Sequence, residues 1–183
     1  NGQFGGIRHS TNNGTTWEND YQHYTARTLA MGQNGYVYAS SWDYPNISEG
    51  LWVSFNQGAV WQGHLYLIGS NNNIFSILGR DNNQTIYIGT RTGVRKSTNG
   101  GGSFTPVNNG IPANTFVYVL DMSYSGNYIA AGTSKGLYIS SNNGTNWEPV
   151  SGIPSSDTVY SVKFAHYNTD GYEEVYYAGA SGY

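Results

Sequence analysis

The stretch SSNNGTNW, residues 140–147, decides the fold because the chain writes it four times. STNNGTTW occupies 10–17, SFNQGAVW 54–61 and STNGGGSF 97–104. All four align without gaps as Ser-x-Asn-x-Gly-x-x-aromatic. The aligned residues are Ser10, Asn12, Gly14 and Trp17; Ser54, Asn56, Gly58 and Trp61; Ser97, Asn99, Gly101 and Phe104; and Ser140, Asn142, Gly144 and Trp147. The glycines step by 44, 43 and 43 residues. A fixed period of this size is the mark of a repeat architecture, in which one supersecondary unit is copied.

Each box has a physical reading as a turn. A short strand-like run precedes it (GGIRHS, GLWVS, GVRKS, GLYIS) and another is opened by its aromatic residue. Ser and Asn side chains bond nearby backbone amides, and Gly supplies the positive φ that a tight hairpin needs. The aromatic is expected to fold back as a plug beside the next hairpin. Two further strands per repeat read at 116–122 and 128–133, and at 159–165 and 175–180, with single matches at 36–40 and 85–90. Turn signals (GQNG, DNNQ, SGN, NTDG) separate them, and no helix-period segment occurs. Four short strands per repeat predict an all-β chain, a β-propeller of four-stranded antiparallel blades. The repeats fall near 5–49, 50–92, 93–135 and 136–183 of a single domain, 1–183.

Composition agrees. Charged residues are 10% of the 183, against about 25% in an average protein, and aromatic residues are 15%, with 17 Tyr. Such a chain is short of helix formers and rich in strand and turn formers. Net charge is −3, and the one basic group, Arg91, Arg95 and Lys96, is small. A nucleic-acid footprint needs clustered positive charge, so no nucleic-acid partner is expected. No apolar run approaches the ~20 residues that span a bilayer, so membrane insertion is not expected. Cysteine is absent, which removes disulfides, thiolate metal sites and a Cys nucleophile. A start at Asn1 rather than Met reads as a processed product or a fragment.

Stretches such as GLYISSNNGTNWEPVSGIP and GVRKSTNGGGSFTPVNNGIP resemble the Asp-box (BNR) repeats of secreted bacterial sialidase-like and sortilin-like proteins, xyloglucan-degrading hydrolases and photosystem II assembly-factor-like proteins. The family's Asp is Asn here in all four copies. The resemblance implies that the box joins the third and fourth strands of a blade, on the periphery, with no catalytic role. It further implies an outer strand pair first, three whole blades, and an inner pair last. Those halves are complementary, so the chain is expected either to close a four-bladed ring or to form part of a larger propeller. Composition and resemblance together point to an extracellular or cell-surface location.

No catalytic residue, metal site or cofactor is legible. A sialidase would need three convergent arginines; Arg8, Arg27, Arg80, Arg91 and Arg95 do not form that pattern, and the Arg-Ile-Pro motif is missing. A glycosidase needs two carboxyl groups about 5 to 9.5 Å apart. Only Asp121 lies mid-strand on an innermost strand, and Lys163 stands at its equivalent one repeat later, so a structural ion pair is expected. Glu173 and Glu174 are adjacent and face opposite sides of a strand. His9, His23, His64 and His166 lack metal-ligand spacing, and the sequons at Asn13 and Asn143 are by-products of the box, unlike those at Asn46 and Asn83. Contact residues are sought in the loop SSWDYPNISEGLW, at Trp42, Tyr44 and Trp52. The repeats differ most in their loops, and no ligand-like residue recurs in all four copies. The expected function is a non-enzymatic structural or protein-interaction module whose partner is another protein. A glycan-binding propeller is the alternative, and a glycoside hydrolase fragment a more distant one.

Overall fold

Turns set the lengths of the strands here. The computed structural model describes residues 6–21, 25–32, 35–42, 50–65, 73–80, 84–166 and 174–181. In each box the Ser hydroxyl donates to the Asn Oδ1, at 3.0, 3.0, 2.9 and 3.0 Å in chain order. The same Ser oxygen accepts from the amide of the box Gly at 2.8–2.9 Å. The Asn Oδ1 accepts a second time from the amide four residues on, that of Thr16, Val60, Ser103 or Asn146. Two successive residues adopt positive φ, Asn143 at 59° and Gly144 at 79° in the last copy. Asn tolerates that region and Gly does so freely, which is why the pattern fixes its Gly.

Sixteen strands follow among the described residues. β1 (Ile7–His9) pairs with β2 (Glu18–Tyr21). A four-stranded sheet then runs in order through β3 (Thr25–Met31), β4 (Val37–Trp42), β5 (Gly50–Ser54) and β6 (Trp61–Leu65). A second contains β7 (Ile74–Arg80), β8 (Thr85–Thr90), β9 (Gly93–Ser97) and β10 (Thr105–Pro106). A third contains β11 (Val117–Met122), β12 (Ile129–Thr133), β13 (Gly136–Ser140) and β14 (Glu148–Pro149). Last comes the pair β15 (Thr158–His166) and β16 (Glu174–Ser181). All strand pairings are antiparallel; the first box joins β1 to β2, and each of the other three joins the third strand of its sheet to the fourth. The order is an outer pair, three whole blades and an inner pair. The two terminal pairs stay separate sheets, so the sheets do not close a ring, as in part of a larger propeller. β10 and β14 stop after two residues at Pro106 and Pro149, which lack the amide a further ladder bond would use.

Hydrophobic burial lies between blades. One cluster joins Tyr38, Leu51 and Val53 of the first blade to Ile74, Ile77, Ile86 and Ile88 of the second. Another joins Tyr87 and Val94 to Val117, Leu120 and Ile129 of the third. Ala130 and Leu137 meet Val159 and Val162 of β15, and Ile7 of β1 meets Ala39 and Trp52. No strand alternation alone would show this, because the middle strands are buried on both faces: β5, β8 and β12 are almost wholly buried.

Trp147 packs on the preceding blade, which corrects the expected direction. Trp147 is 2% exposed. Its indole Nε1–H donates to the Val107 carbonyl at 2.8 Å and its amide to the Asn109 carbonyl at 2.8 Å. Gly110 makes room: a Cβ there would lie 2.0 Å from the Trp147 carbonyl oxygen. Phe104 packs on the cluster shared by the first and second blades, and Trp61 on the cluster of Ile7, Ala39 and Trp52. Trp17, at the same box position, is 60% exposed and bonds only within its own box, to the Gly14 carbonyl at 3.1 Å.

Candidate functional site

Each innermost strand breaks register once, near its start. The breaks fall between Ala26 and Thr28, Ile74 and Ser76, Val117 and Val119, and Val159 and Ser161. The extra residues are Arg27, Phe75, Tyr118 and Tyr160, stepping by 48, 43 and 42 residues. A β-bulge leaves one residue outside the ladder and re-aims its side chain. Beside each bulge the second strand carries a small residue: Ser40, Gly89, Gly132 or Gly179. For Gly89 and Gly132 the reason is a close approach by the next blade. A Cβ on Gly89 would stand 2.7 Å from the Val117 carbonyl oxygen, and one on Gly132 2.9 Å from that of Val159. In the first blade the Ser40 hydroxyl lies at the corresponding place and donates to the Ile74 carbonyl at 3.4 Å.

The bulged side chains form a continuous row. The Arg27 guanidinium lies 4.5 Å above the Phe75 ring. Phe75 and Tyr118 are 5.3 Å apart between centroids, and Tyr118 and Tyr160 5.0 Å. Phe116, just before β11, stacks on Phe75 at 6.3 Å and 27° and meets Tyr118 edge-on at 6.1 Å. Arg91, in the turn after β8, sits 5.3 Å over Phe116. Arg27, Arg91 and Tyr160 are exposed, while Phe75, Phe116 and Tyr118 are half-buried. Burial, then the neighbouring Tyr160, pushes the Tyr118 hydroxyl above the ordinary tyrosine value.

Antiparallel pairing fixes where the row lies. Strand starts on the innermost strands and the turns between second and third strands share one end of every blade. The boxes, between third and fourth strands, occupy the other. The row and Arg91 are therefore at the end remote from the boxes. Trp42 is at that end too: it closes β4 opposite Thr25 and leads into the long second-to-third loop.

Asp121 is the only carboxylate in the four innermost strands. Its Oδ1 pairs with the Lys163 ammonium at 3.1 Å, and its Oδ2 accepts the Phe164 amide at 2.8 Å. Its side chain is 15% exposed and that of Lys163 75%. The carboxylate thus ties β11 to β15, and it has no second carboxyl partner on these strands.

The residues singled out from the sequence meet different fates. Trp52, considered as a contact residue, is 7% exposed and donates its Nε1–H to the Ser41 hydroxyl at 2.7 Å; it is a packing residue of the first blade. Tyr44, His23, Asn46, Asn83 and Glu173 lie outside the described residues. The basic group divides among separate contacts: Lys96 lies 5.4 Å over Tyr87 and donates to the Asn143 carbonyl, while Arg91 serves the aromatic row. Asn143 accepts from the Arg80 guanidinium through its side chain. Among the described residues no group of three or more His, Cys, Asp or Glu could hold a metal ion. An aromatic occupies the bulge in three innermost strands and arginine in the fourth, a pattern not singled out from the sequence. Its signal was the 43- and 42-residue spacing of Phe75, Tyr118 and Tyr160. The extra bulge residue hides it by shifting the two-residue alternation.

These blades and their packing define a β-propeller. Similar solved structures bear this out. A GH74 enzyme of Niastella koreensis matches at 17% identity with a TM-score of 0.70, over 89% of this chain and 29% of that one. The GH74 xyloglucanase of Xanthomonas campestris matches at 16% and 0.66, over 87% and 29%. YCF48, solved bound to a D1 peptide, matches at 19% and 0.58, over 88% of this chain and 53% of that one. The chain spans less than a third of the length of the GH74 enzymes. An extracellular domain from B. thetaiotaomicron is also similar, at 19% identity and a TM-score of 0.55, over 76% of this chain and 19% of that one. No family model matches the sequence, and no curated protein matches it. No helix among the described residues is long and apolar enough to cross a membrane.

Proposed function

We propose that this chain is a non-enzymatic interaction module of an extracellular or cell-surface protein, binding a protein partner on the end remote from its boxes. The observation that carries this reading is the row Arg27, Phe75, Tyr118 and Tyr160, presented by four successive bulges. Aromatic residues and arginine are the side chains over-represented at the centres of protein interfaces. The boxes are read as Asp-box repeats with Asn in the Asp place: turn devices on the opposite end, with no part in binding. Asp121 is engaged by a backbone amide and a lysine, an arrangement of a structural group rather than of one of two glycosidase carboxyls. The peptide in the YCF48 structure supports a protein ligand, and the extracellular domain from B. thetaiotaomicron supports the location.

Random peptides displayed against the immobilised chain and its Tyr160→Ala variant test the reading, beside a glycan array and a reducing-end assay on xyloglucan. The expected result is peptides whose capture needs Tyr160, with no turnover. Glycan binding that disappears in Tyr160→Ala would establish the lectin-like alternative. Xyloglucan turnover abolished by Asp121→Asn would establish a hydrolase.

A further inference from the structure

Resting on that reading of the row, we infer the chemistry of the partner: an acidic segment in which two carboxylates flank an apolar side chain, held by Arg27 and Arg91. The two arginines come from different kinds of position, a bulge on β3 and the turn after β8. Both end on the same stacked pair of rings, Arg27 over Phe75 and Arg91 over Phe116. Stacking uses the flat face of a guanidinium and leaves its in-plane N–H fork pointing outward, the geometry that takes a carboxylate through two hydrogen bonds. Among the described residues neither guanidinium has a carboxylate within ion-pair distance. Lys163, the exposed cation on β15, differs in that Asp121 already neutralises it. Two guanidinium groups are thus held over the rings with no carboxylate beside them among the described residues, in a chain whose net charge is −3.

The rings between the forks argue for a peptide rather than a sugar chain. A pyranose stacks on an open aromatic face. Here Phe75, Phe116 and Tyr118 turn their surfaces to one another or to a guanidinium, with centroids 5.3–6.3 Å apart. Tyr160, 59% exposed, is the one open ring of the row. Such a surface offers ring edges of Phe75 and Phe116 between the two arginines, which suit one apolar side chain between two anionic ones, and an open ring, Tyr160, further along the row beyond Tyr118.

The test uses the whole chain and a random 12-residue peptide display. Peptides rich in Asp or Glu around an apolar residue are expected. Titration of a selected, fluorescently labelled peptide should weaken at least 10-fold in Arg27→Gln and in Arg91→Gln, and similarly when NaCl rises from 0.15 to 0.5 M, since salt screens exposed charge pairs. Both arginines are exposed, so thermal melting of the variants should match the parent. Neutral or basic selected peptides, or affinity unchanged in both variants, would overturn the acidic-partner inference while leaving a peptide-binding face intact. An acidic oligosaccharide (oligogalacturonate as probe) that binds when no peptide is enriched would overturn both.

Discussion

Two tryptophans at the same box position should differ sharply in what they contribute. Trp147 is 2% exposed, fills a socket on the preceding blade and donates to the Val107 carbonyl. Replacing it by Ala removes a buried ring, a change worth about 3–5 kcal/mol. It also orphans a carbonyl, adding about 1 kcal/mol. Trp17 is 60% exposed and its hydrogen bond is internal to its box. Trp17→Ala should cost less than about 1 kcal/mol, the range of substitutions without buried partners. Urea unfolding followed by far-ultraviolet circular dichroism separates the two. With a slope of roughly 2 kcal/mol per molar for a domain of this class, Trp147→Ala should lower the midpoint by about 2–3 M, and Trp17→Ala by less than about 0.5 M. Equal losses would refute the argument that box aromatics stabilise by docking on the blade before them, and would make the plug a local turn device.

The Asp121 link should also prove asymmetric. Lys163→Ala removes an exposed partner and should cost under about 1 kcal/mol, whereas Asp121→Ala also strips the Phe164 amide of its acceptor and should cost about 1–3 kcal/mol in the same unfolding assay. Alkaline pH should unfold the chain through Tyr38, a fully buried ring whose hydroxyl is pushed up to about 12 by burial and then by Tyr36. Because the folded value exceeds the unfolded one near 10, stability is undiminished below pH 10 and falls as pH climbs to about 12. The loss is on the order of 2–3 kcal/mol. Tyr38→Phe should flatten that part of the pH profile.

What the sequence made legible follows from the range of the interactions involved. The boxes close on themselves within five residues, through Ser, Asn and Gly. Their chemistry is therefore complete in the local sequence and could be read directly. The Asp121–Lys163 pair was legible because equivalent positions on neighbouring innermost strands come side by side. The direction in which Trp147 packs was not, since it depends on Val107, Asn109 and Gly110 of another blade. The row of bulges escaped for a different reason. Phe75, Tyr118 and Tyr160 stand where the two-residue alternation slips, so nothing in the local pattern marks them until pairing shows each to be supernumerary. Trp52 misled in the opposite sense: an aromatic beside an unusual loop looked like a contact residue, but its ring belongs to the first blade's interior.

The socket for the box aromatic has an evolutionary consequence. A segment of about 43 residues can carry both a plug for the unit before it, as Trp147 is, and a seat for the unit after it, as Val107 to Ile111 are. Duplicating such a segment copies both halves of the joint at once, so a lengthened array needs no newly invented interface. The same polarity makes the units orderable but not reversible, since plug meets seat only head to tail. Substitutions at the bulges of the innermost strands leave that joint alone. Arginine, phenylalanine and tyrosine can therefore be exchanged there from one unit to the next, so that the joint stays constant while the row at the bulges diversifies.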